Sequence, residues 1–483
     1  MDRTSSTPSV FRSPDARVSV AGVLLLAALL SLIGGLLVAL LGGPISLGLL
    51  AGLGFGAWML RDIDAGYLAL IASVCLLPFG ALPLPIGFKP TFLDLIMLVL
   101  FVVWLTQRVT GKQGKLVTAP VGLPVLIFLA LALAAFIAGL GHAPLTQTIA
   151  RHFAEILLSV VLFFMVVDTV RDETRLAKFV RAILIAGFIA SIVAIVLYAL
   201  PDRTTMELLS RLRAFGYPEG PGVLRYIRDD PSLPQRATGT SIDPNVLGGL
   251  LTMTLSVSVT QVFGARRVVR RAWAALFTAT MALALILTFS RASFAGVGAA
   301  LLGLGLLRYR KVLPVIAIVA ALILVLPQTQ DYVSHFFEGV QGEDLATQMR
   351  VGEYKDALTL IGRYPIFGVG FTGSPDLDTY IGVSSVYLLM AEEMGLVGLA
   401  VFLLVMLTLF AWAGRARSTV RARPALEPLW WGLHTALAGA LIGGVLDHYF
   451  FNLDFHHSAV FFWLFVGLAA AATRLALEVK REA

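Results

Sequence analysis

The chain has 483 residues, of which 58% are hydrophobic and 14% charged, with a net charge of +7 and a single cysteine. Its mean hydropathy of +0.86 excludes an ordinary water-soluble domain, in which about a quarter of the residues are charged. Because Cys75 has no second cysteine to pair with, an intrachain disulfide framework is excluded and the redox compartment stays unread.

Residues 1–17 are largely polar, and no small-residue cleavage site follows an apolar stretch behind them, so they read as a retained lead rather than a secretory signal. Apolar runs then recur near 18–41, 44–60, 65–86, 92–107, 120–140, 154–170, 180–200, 242–263, 272–289, 292–307, 312–326, 385–412, 428–446 and 457–474. These are about fourteen candidate spans, each near the roughly 20 residues that a bilayer requires. None alternates with a period of two, which leaves helices as the spanning form. The expected fold is an all-α polytopic membrane protein of about fourteen transmembrane helices. Residues 1–200 carry its N-terminal spans, and residues 201–483 hold the two long loops and the remaining spans.

Basic residues set the orientation. The clusters Arg108/Lys112/Lys115, Arg171/Arg175/Lys178/Arg181, Arg266/Arg267/Arg270/Arg271, Arg308/Arg310/Lys311 and Arg415/Arg417/Arg421/Arg423 fall on one side of alternating spans. With both termini cytoplasmic, about 25 of the 37 Lys and Arg lie inside and about 12 outside. The basic balance therefore reports topology. No aromatic-interleaved groove or nucleic-acid motif accompanies it, so no nucleic-acid partner is expected.

The run 272–307 contains Arg291 as its only charge, within "LTFSRASFAGVG". As a single helix it would extend roughly 54 Å, too far for one crossing. An arginine at mid-bilayer costs at least roughly 3 kcal/mol. The run is thus expected to be a helical hairpin with Arg291 at its outer turn.

Two long loops, 201–240 and 327–384, both fall outside the membrane. Long loops are uncommon unless they bind or catalyse. Short amphipathic helices are expected in them near 207–215 and 347–362, the second with Met349, Ala357, Leu360 and Ile361 on its apolar face. Inside the spans, Asp94 and Glu155 are the main charges, both close to the outer boundary. The outer surface gathers Arg236, Asp243, Arg291, Arg350, Lys355, Arg363, Asp376, Asp378, Glu392, Glu393, Asp447, His448, Asp454, His456 and His457. A transporter of lipid-linked glycan or solute, the reading from another class, would place ionisable groups near the midplane. Concentration at one face favours an interfacial enzyme acting on a lipid-linked substrate.

Four stretches, in order along residues 236–411, resemble the O-antigen ligase and polymerase superfamily. They are "RATGTSIDPNVLGGLL", "SRASFAGVGAALLGL", "MRVGEYKDALTLIGRYPIFGVGFTG" and "SSVYLLMAEEMGLVGLAVFLLVML". The resemblance implies a GT-C-like membrane glycosyltransferase that takes a glycan from a polyprenyl-pyrophosphate carrier and joins it to an acceptor hydroxyl. It also implies that Arg291 and Arg236 bind the pyrophosphate and that Arg350 is the matched arginine of the loop helix. Charge chemistry agrees, because planar guanidinium forks match phosphate oxygens and stabilise a departing anion. Arg291, Arg236 and Glu393 are the expected catalytic residues; Arg350, Asp243, Asn245, Arg363 and Tyr387 are expected to bind substrate. Asp243 and Asn245 are equally good N-cap and turn residues.

The chain departs from the family at Ser384 and Ser385, where ligases carry histidine and asparagine. A serine hydroxyl has no useful basicity near neutral pH, which shifts weight from ligation to polymerisation and leaves Glu393 as the matched candidate base. His335 has no counterpart. "DHYFFNLDFHH" (447–457) holds ligand-type side chains at poor metal spacing, and the pair Asp376 and Asp378 is a weak signal. Neither a metal nor another cofactor is implied. The expected protein is a metal-independent transferase of the bacterial inner membrane with an extracytoplasmic active face. It would polymerise O-antigen or exopolysaccharide repeats, with transfer to lipid A-core as the alternative. Its partners would be the lipid-linked glycan, a glycan or lipid acceptor, membrane lipids and a chain-length regulator.

The alternation of basic clusters makes a direct prediction. Reporter fusions after Arg417 and after Asp344 are expected to report cytoplasmic and extracytoplasmic positions respectively; the reverse at either position would invert the active face.

Overall fold

In the computed structural model, the described residues are 31–32, 35–36, 38–39, 43–82, 89–111, 114–227, 230–325, 345–373 and 382–482. Among them the regular structure is helical, apart from two isolated antiparallel bridges, Ala81 with Thr91 and Tyr226 with Gln235. The chain divides into two compact units, Met1–Arg61 and Asp62–Ala483. The described part of the first ends in α1 (Gly43–Arg61), whose last turn carries Arg61, the charge sign favoured at a helix C-terminus.

The second unit runs through residue 200 without a break. It contains α2 (Ile63–Leu76), α3 (Phe92–Val109), α4 (Gly122–Gly139), α5 (Gln147–Thr169), α6 (Glu173–Ala199), α7 (Asp202–Arg211) and α8 (Pro244–Phe263). It continues with α9 (Arg271–Leu287), α10 (Arg291–Leu307), α11 (Val312–Val325), α12 (Leu345–Arg363), α13 (Val386–Arg421), α14 (Glu427–Gly443) and α15 (His456–Glu482). Among the described residues, 7 helices are long and apolar enough to cross a membrane: α3, α4, α5, α6, α8, α13 and α15. Shorter apolar helices, among them α2, α9 and α10, accompany them. The chain is a multi-pass helical membrane protein; seven of the about fourteen expected spans are long enough among the described residues, and the run 65–86 extends past α2, which ends at Leu76. The run 18–41 lies mostly outside the described residues.

The expected hairpin is present as α9 and α10, and both loop helices are present as α7, extended by a 3-10 turn over Leu212–Phe215, and α12. The apolar face of α12 differs in one respect. Ala357 and Leu360 are fully buried, but Met349 is exposed, so the apolar face meets α13 through the middle of the helix. The loop before α8 carries its own small core of Leu209, Tyr217, Val223 and Ile242.

Helices α8 and α15 are almost wholly enclosed. Helix α8 contacts α14, α9, α10 and α6, so its hydroxyls have no water. Instead Thr252 donates to Gly248 O (2.9 Å), Ser256 to Thr252 O (2.7 Å), and Thr260 to Pro428 O on α14 (2.8 Å). Hydrocarbon gives helices little hydrophobic reason to associate, so close approach of small residues substitutes for it. At Gly296, for instance, a Cβ would lie 2.5 Å from Gly439 O, which lets α10 and α14 touch backbone to backbone.

At the basic end of the bundle the arginines are paired. Asp168, with no exposed surface, accepts from Trp104 Nε1 (2.8 Å) and Val117 N (3.0 Å) and bridges Arg108 Nε (2.7 Å) and Arg171 Nη2 (3.1 Å). Asp64 does the same for Arg175 Nε (3.0 Å) and Lys178 Nζ (2.8 Å). Glu427 binds Arg308, and Glu173 binds Arg423. Asp94 and Glu155 are therefore not the main acidic groups among the spans. Asp64 and Asp168 sit one helical turn from basic clusters, where the sequence makes them look like part of a solvated link.

Removing a buried ion-pair partner typically costs about 3–5 kcal/mol, because the other charge is left uncompensated. Asp168→Asn is accordingly expected to lower the thermal midpoint of the detergent-purified protein strongly, whereas Glu207→Gln, which breaks an exposed pair with Arg203, should leave it in place. A wild-type midpoint for Asp168→Asn would mean that the basic end contributes no stability.

Candidate active site at the α9–α10 turn

The turn between α9 and α10 is built on strain. Phe289 adopts φ 55°, a left-handed conformation that a bulky side chain rarely takes, and Ile242, directly before α8, adopts φ 57°. Each precedes an N-cap residue. Ser290 caps α10 through Ser293 N, and Asp243 Oδ1 caps α8 by accepting from Asn245 N (2.8 Å) and Val246 N (3.0 Å). Such outliers persist only where surrounding structure over-determines them, and they cluster at functional sites.

Arg236 joins these two elements. Its Nε donates to Thr288 O in the turn (2.9 Å) and its Nη2 to Asn245 Oδ1 on α8 (2.8 Å). The main chain follows, with Ala237 N donating to Leu287 O (2.8 Å). Arg291, half-buried, opens α10 at its first position, three residues beyond the carbonyl that Arg236 holds. Arg225 lies beside Arg236, its O accepting from Arg236 N (2.7 Å), and its own Nε is enclosed without a hydrogen-bond partner.

Two further elements converge here. In α12, Arg350 and Asp243 are both among the charges acting on the Asp447 carboxyl, which burial raises above its ordinary range while His448 and Arg350 oppose the rise. Asp447 Oδ2 and His448 Nδ1 are enclosed and have no hydrogen-bond partner; the His448 ring lies 3.9 Å from Asp447 Oδ1. At the start of α13, Ser384 donates through N (3.0 Å) and Oγ (2.7 Å) to Glu353 Oε2, and Tyr354 OH donates to Ser384 O (3.3 Å). Val386 N donates to Gly444 O (2.8 Å) and Asp447 O (3.0 Å), which places α13 against the turn after α14. Tyr449 completes the floor: its ring occupies the space a Cβ on Gly249 would need, and its hydroxyl bonds Ser293.

Of the residues expected from the sequence, Arg236, Asp243, Asn245, Arg291 and Arg350 thus belong to one constellation. Arg363 ends α12, about 20 Å along the helix from Arg350, and is exposed. Tyr387 donates to Leu441 O (2.7 Å) and lines a small apolar cavity with Phe128, Phe402 and Trp463. Glu393 is buried, and the ionic groups acting on it are Glu392 and Asp454, not arginines. His335, Asp376 and Asp378 lie outside the described residues. The sequence reading passed over Arg225, Glu353, Tyr354 and Tyr449, and it set Asp447 and His448 aside with a poor metal motif. For Asp447, His448 and Tyr449 the signal was "GVLDHYFFN" directly behind a span, a polar pair at the same end as the arginines.

The glycines of the third and fourth stretches have a structural reason. Gly395 interrupts α13 with φ 69° and ψ 178°, a region essentially confined to glycine. The break frees the carbonyls of Glu392 and Glu393, which accept from Val369 N (2.7 Å) and Gly370 N (3.0 Å), while Leu396 N donates to Pro365 O (2.8 Å). The segment 365–373 is thereby strapped across the start of α13 and, through Thr372 Oγ1 to Gly139 O (2.6 Å), onto α4.

Residues 275–403 match the O-antigen ligase family. Over that stretch, about a quarter of the chain, the sequence is similar to this family, which supports its resemblance to the O-antigen ligase and polymerase superfamily. The match spans most of the α9–α10 hairpin, α11, α12 and the broken first half of α13; Arg236, Asp243 and Asn245 precede it, and Asp447 and His448 follow it. Among curated proteins, none matches the chain. The match supports a glycosyltransferase-type function in the broad sense, and the family implies a lipid-linked glycan and an acceptor as general substrates.

A side chain at Gly395 would meet Ile366 O at 2.1 Å in a conformation costing about 1–3 kcal/mol for other residues. Gly395→Ala is therefore expected to lose folded protein from the membrane, read as a drop in monodisperse material on detergent size exclusion, while Gly414→Ala, with open space around it, retains it.

Proposed function

We propose that the chain polymerises glycan repeat units at the outer face of the bacterial inner membrane, using a polyprenyl-pyrophosphate-linked donor. What supports this reading is that Arg236 ties the α9–α10 turn to the start of α8, Arg291 opens α10 at that turn, and Arg350 acts on Asp447 together with Asp243, the cap of α8. Positive helix ends and guanidinium groups together make an anion site. In the reaction, the acceptor hydroxyl oxygen attacks the anomeric carbon, the bond from that carbon to the phosphate oxygen breaks, and the electron pair leaves with the pyrophosphate. Arg291 and Arg236 stabilise the charge that develops on the leaving oxygen.

The hydroxyl proton needs an acceptor. Ser384 spends its hydroxyl on Glu353 and cannot serve. His448 supplies an imidazole beside Asp447 and Arg350, with Nδ1 unbonded. We assign it the role of base. Glu393, enclosed behind the α13 break, has no place in this step. Transfer to lipid A-core is the second reading; the absence of an imidazole at Ser384 favours polymerisation over it.

The test compares glycan chain length in a null strain complemented with variants. Contacts of a charged guanidinium are worth roughly 1.5–3 kcal/mol, about ten- to a hundredfold in rate. Arg291→Lys is expected to reach the membrane at wild-type level but reduce polymer by that factor; Arg291→Ala abolishes it. Ser384→Ala keeps most polymer, and His448→Gln loses it. Full-length polymer from a well-expressed Arg291→Ala variant would leave the arginine as an interfacial anchor.

A further inference from the structure

A second polar cluster stands at the same end of the helices, outside the arginine constellation. Asp94 opens α3, Glu155 lies two turns into α5, and His456 begins α15. Glu155 Oε2 is 3.3 Å from His456 Nδ1, Asp94 Oδ1 is 3.8 Å from His456 Nε2, and one donor atom from each residue lies within 4.8 Å of the others. Glu155 and His456 are only 7% and 5% exposed.

Each carboxylate is half used by the protein. Asp94 Oδ2 accepts from Thr91 N (2.8 Å) in a capping box, and Glu155 Oε1 faces Arg151 Nε (3.0 Å). The other oxygens, Asp94 Oδ1 and Glu155 Oε2, are shielded from solvent, have no hydrogen-bond partner and point at His456, whose Nε2 is also unbonded. Arg151 is itself anchored, donating to Lys89 O (3.0 Å) and lying 3.0 Å from His152 Nε2. One oxygen oriented by the protein and one left over is the arrangement of carboxylates that ligate a metal. Buried carboxyl groups of this kind are otherwise found paired or coordinating metals.

We propose that Asp94, Glu155 and His456 form a resident divalent-cation site that ties α3, α5 and α15 together. Around an ion with bonds of about 2.1 Å, adjacent ligand atoms stand about 3.0–3.4 Å apart; Glu155 Oε2 and His456 Nδ1 already stand at 3.3 Å, while Asp94 Oδ1, nearest the other ring nitrogen, moves toward the ion when it binds. Two carboxylate oxygens and one imidazole nitrogen suit Mn2+ or Zn2+, the metals that both donor types accept. The site is structural and takes no part in the transfer step assigned to the arginines, so its test does not depend on glycan synthesis.

The full chain, purified in detergent from cells grown with Mn2+ and Zn2+, is dialysed and its metal content measured. About one ion per chain is expected; EDTA should remove it and lower the melting temperature by about 2–5 °C, and Mn2+ or Zn2+ should restore both. Glu155→Gln and His456→Gln should lose the ion, and Asp454→Asn should keep it. Where a variant fails to fold, the EDTA-stripped wild type still decides: bound Mn2+ should display 14N coupling from an imidazole ligand. Metal content that is equal in wild type and His456→Gln, or a melting temperature indifferent to EDTA and to both ions, overturns the site.

Discussion

A charge at bilayer depth has to be balanced by the protein itself, since no water is present to do it. This chain meets that constraint by sorting its ionisable side chains to the two ends of its helices and filling the lengths between with hydroxyls that bond their own backbone. At one end Asp64, Asp168, Glu173 and Glu427 pair with the arginines around them. At the other, Asp447 Oδ2, His448 Nδ1, Arg225 Nε and His456 Nε2 are enclosed and unbonded. Unsatisfied buried polar atoms are costly in a fold alone, and these lie at the end where Arg236 and Arg291 stand.

The bipolar arrangement also explains why backbone strain gathers where it does. Phe289 and Ile242 take left-handed conformations next to N-caps, and α13 is broken at Gly395. A straight helix would carry its charged residues along the span or past it. A tight turn with a capped start puts Arg291 at the first helical position, and Val386 N, bonded to Gly444 O and Asp447 O, holds the α13 start against the 444–449 turn. Arg236, in the loop before α8, is fixed by its bonds to Thr288 O and Asn245 Oδ1, as preorganised electrostatic stabilisation requires.

Much of this was legible in the sequence. Hydropathy placed the helices, the length of the 272–307 run dictated a hairpin, and the loop helices followed from apolar spacing. Arg236 bonds Asn245 on α8 and Thr288 in the turn before Arg291, and Arg350 and Asp243 both act on Asp447, links that follow the order of the matched stretches. What escaped was pairing at a distance. Asp168 looks like an ordinary residue at a helix end until Arg108, some sixty positions earlier, is seen to rest on it. Arg363 and Tyr387 matched the same stretches as the clustered residues, yet helix length carries one away from the turn and a carbonyl on α14 occupies the other. Sequence order gives proximity along an element but not which face it presents.

The stretch "DHYFFNLDFHH" makes that point in physical terms. Read as a string it is a crowd of ligand-type residues with no workable metal spacing. In the fold it is divided: Asp447 and His448 lie behind α14 against Arg350 and the α13 start, while His456 begins α15 between Asp94 and Glu155. A 3-10 turn over Leu453–Phe455, capped by Asn452, separates the two halves, and the aromatic residues Tyr449, Phe450 and Phe451 between them are buried. The segment is thus fixed at both ends and at its centre. Whatever holds His456 in place at the start of α15 also limits how far His448 can move relative to Arg350, because fewer than ten residues of packed chain connect them. Rigidity at one polar cluster is in this way a condition for geometry at the other, and the spacing that looked wrong for a single site suits two sites that share a strut.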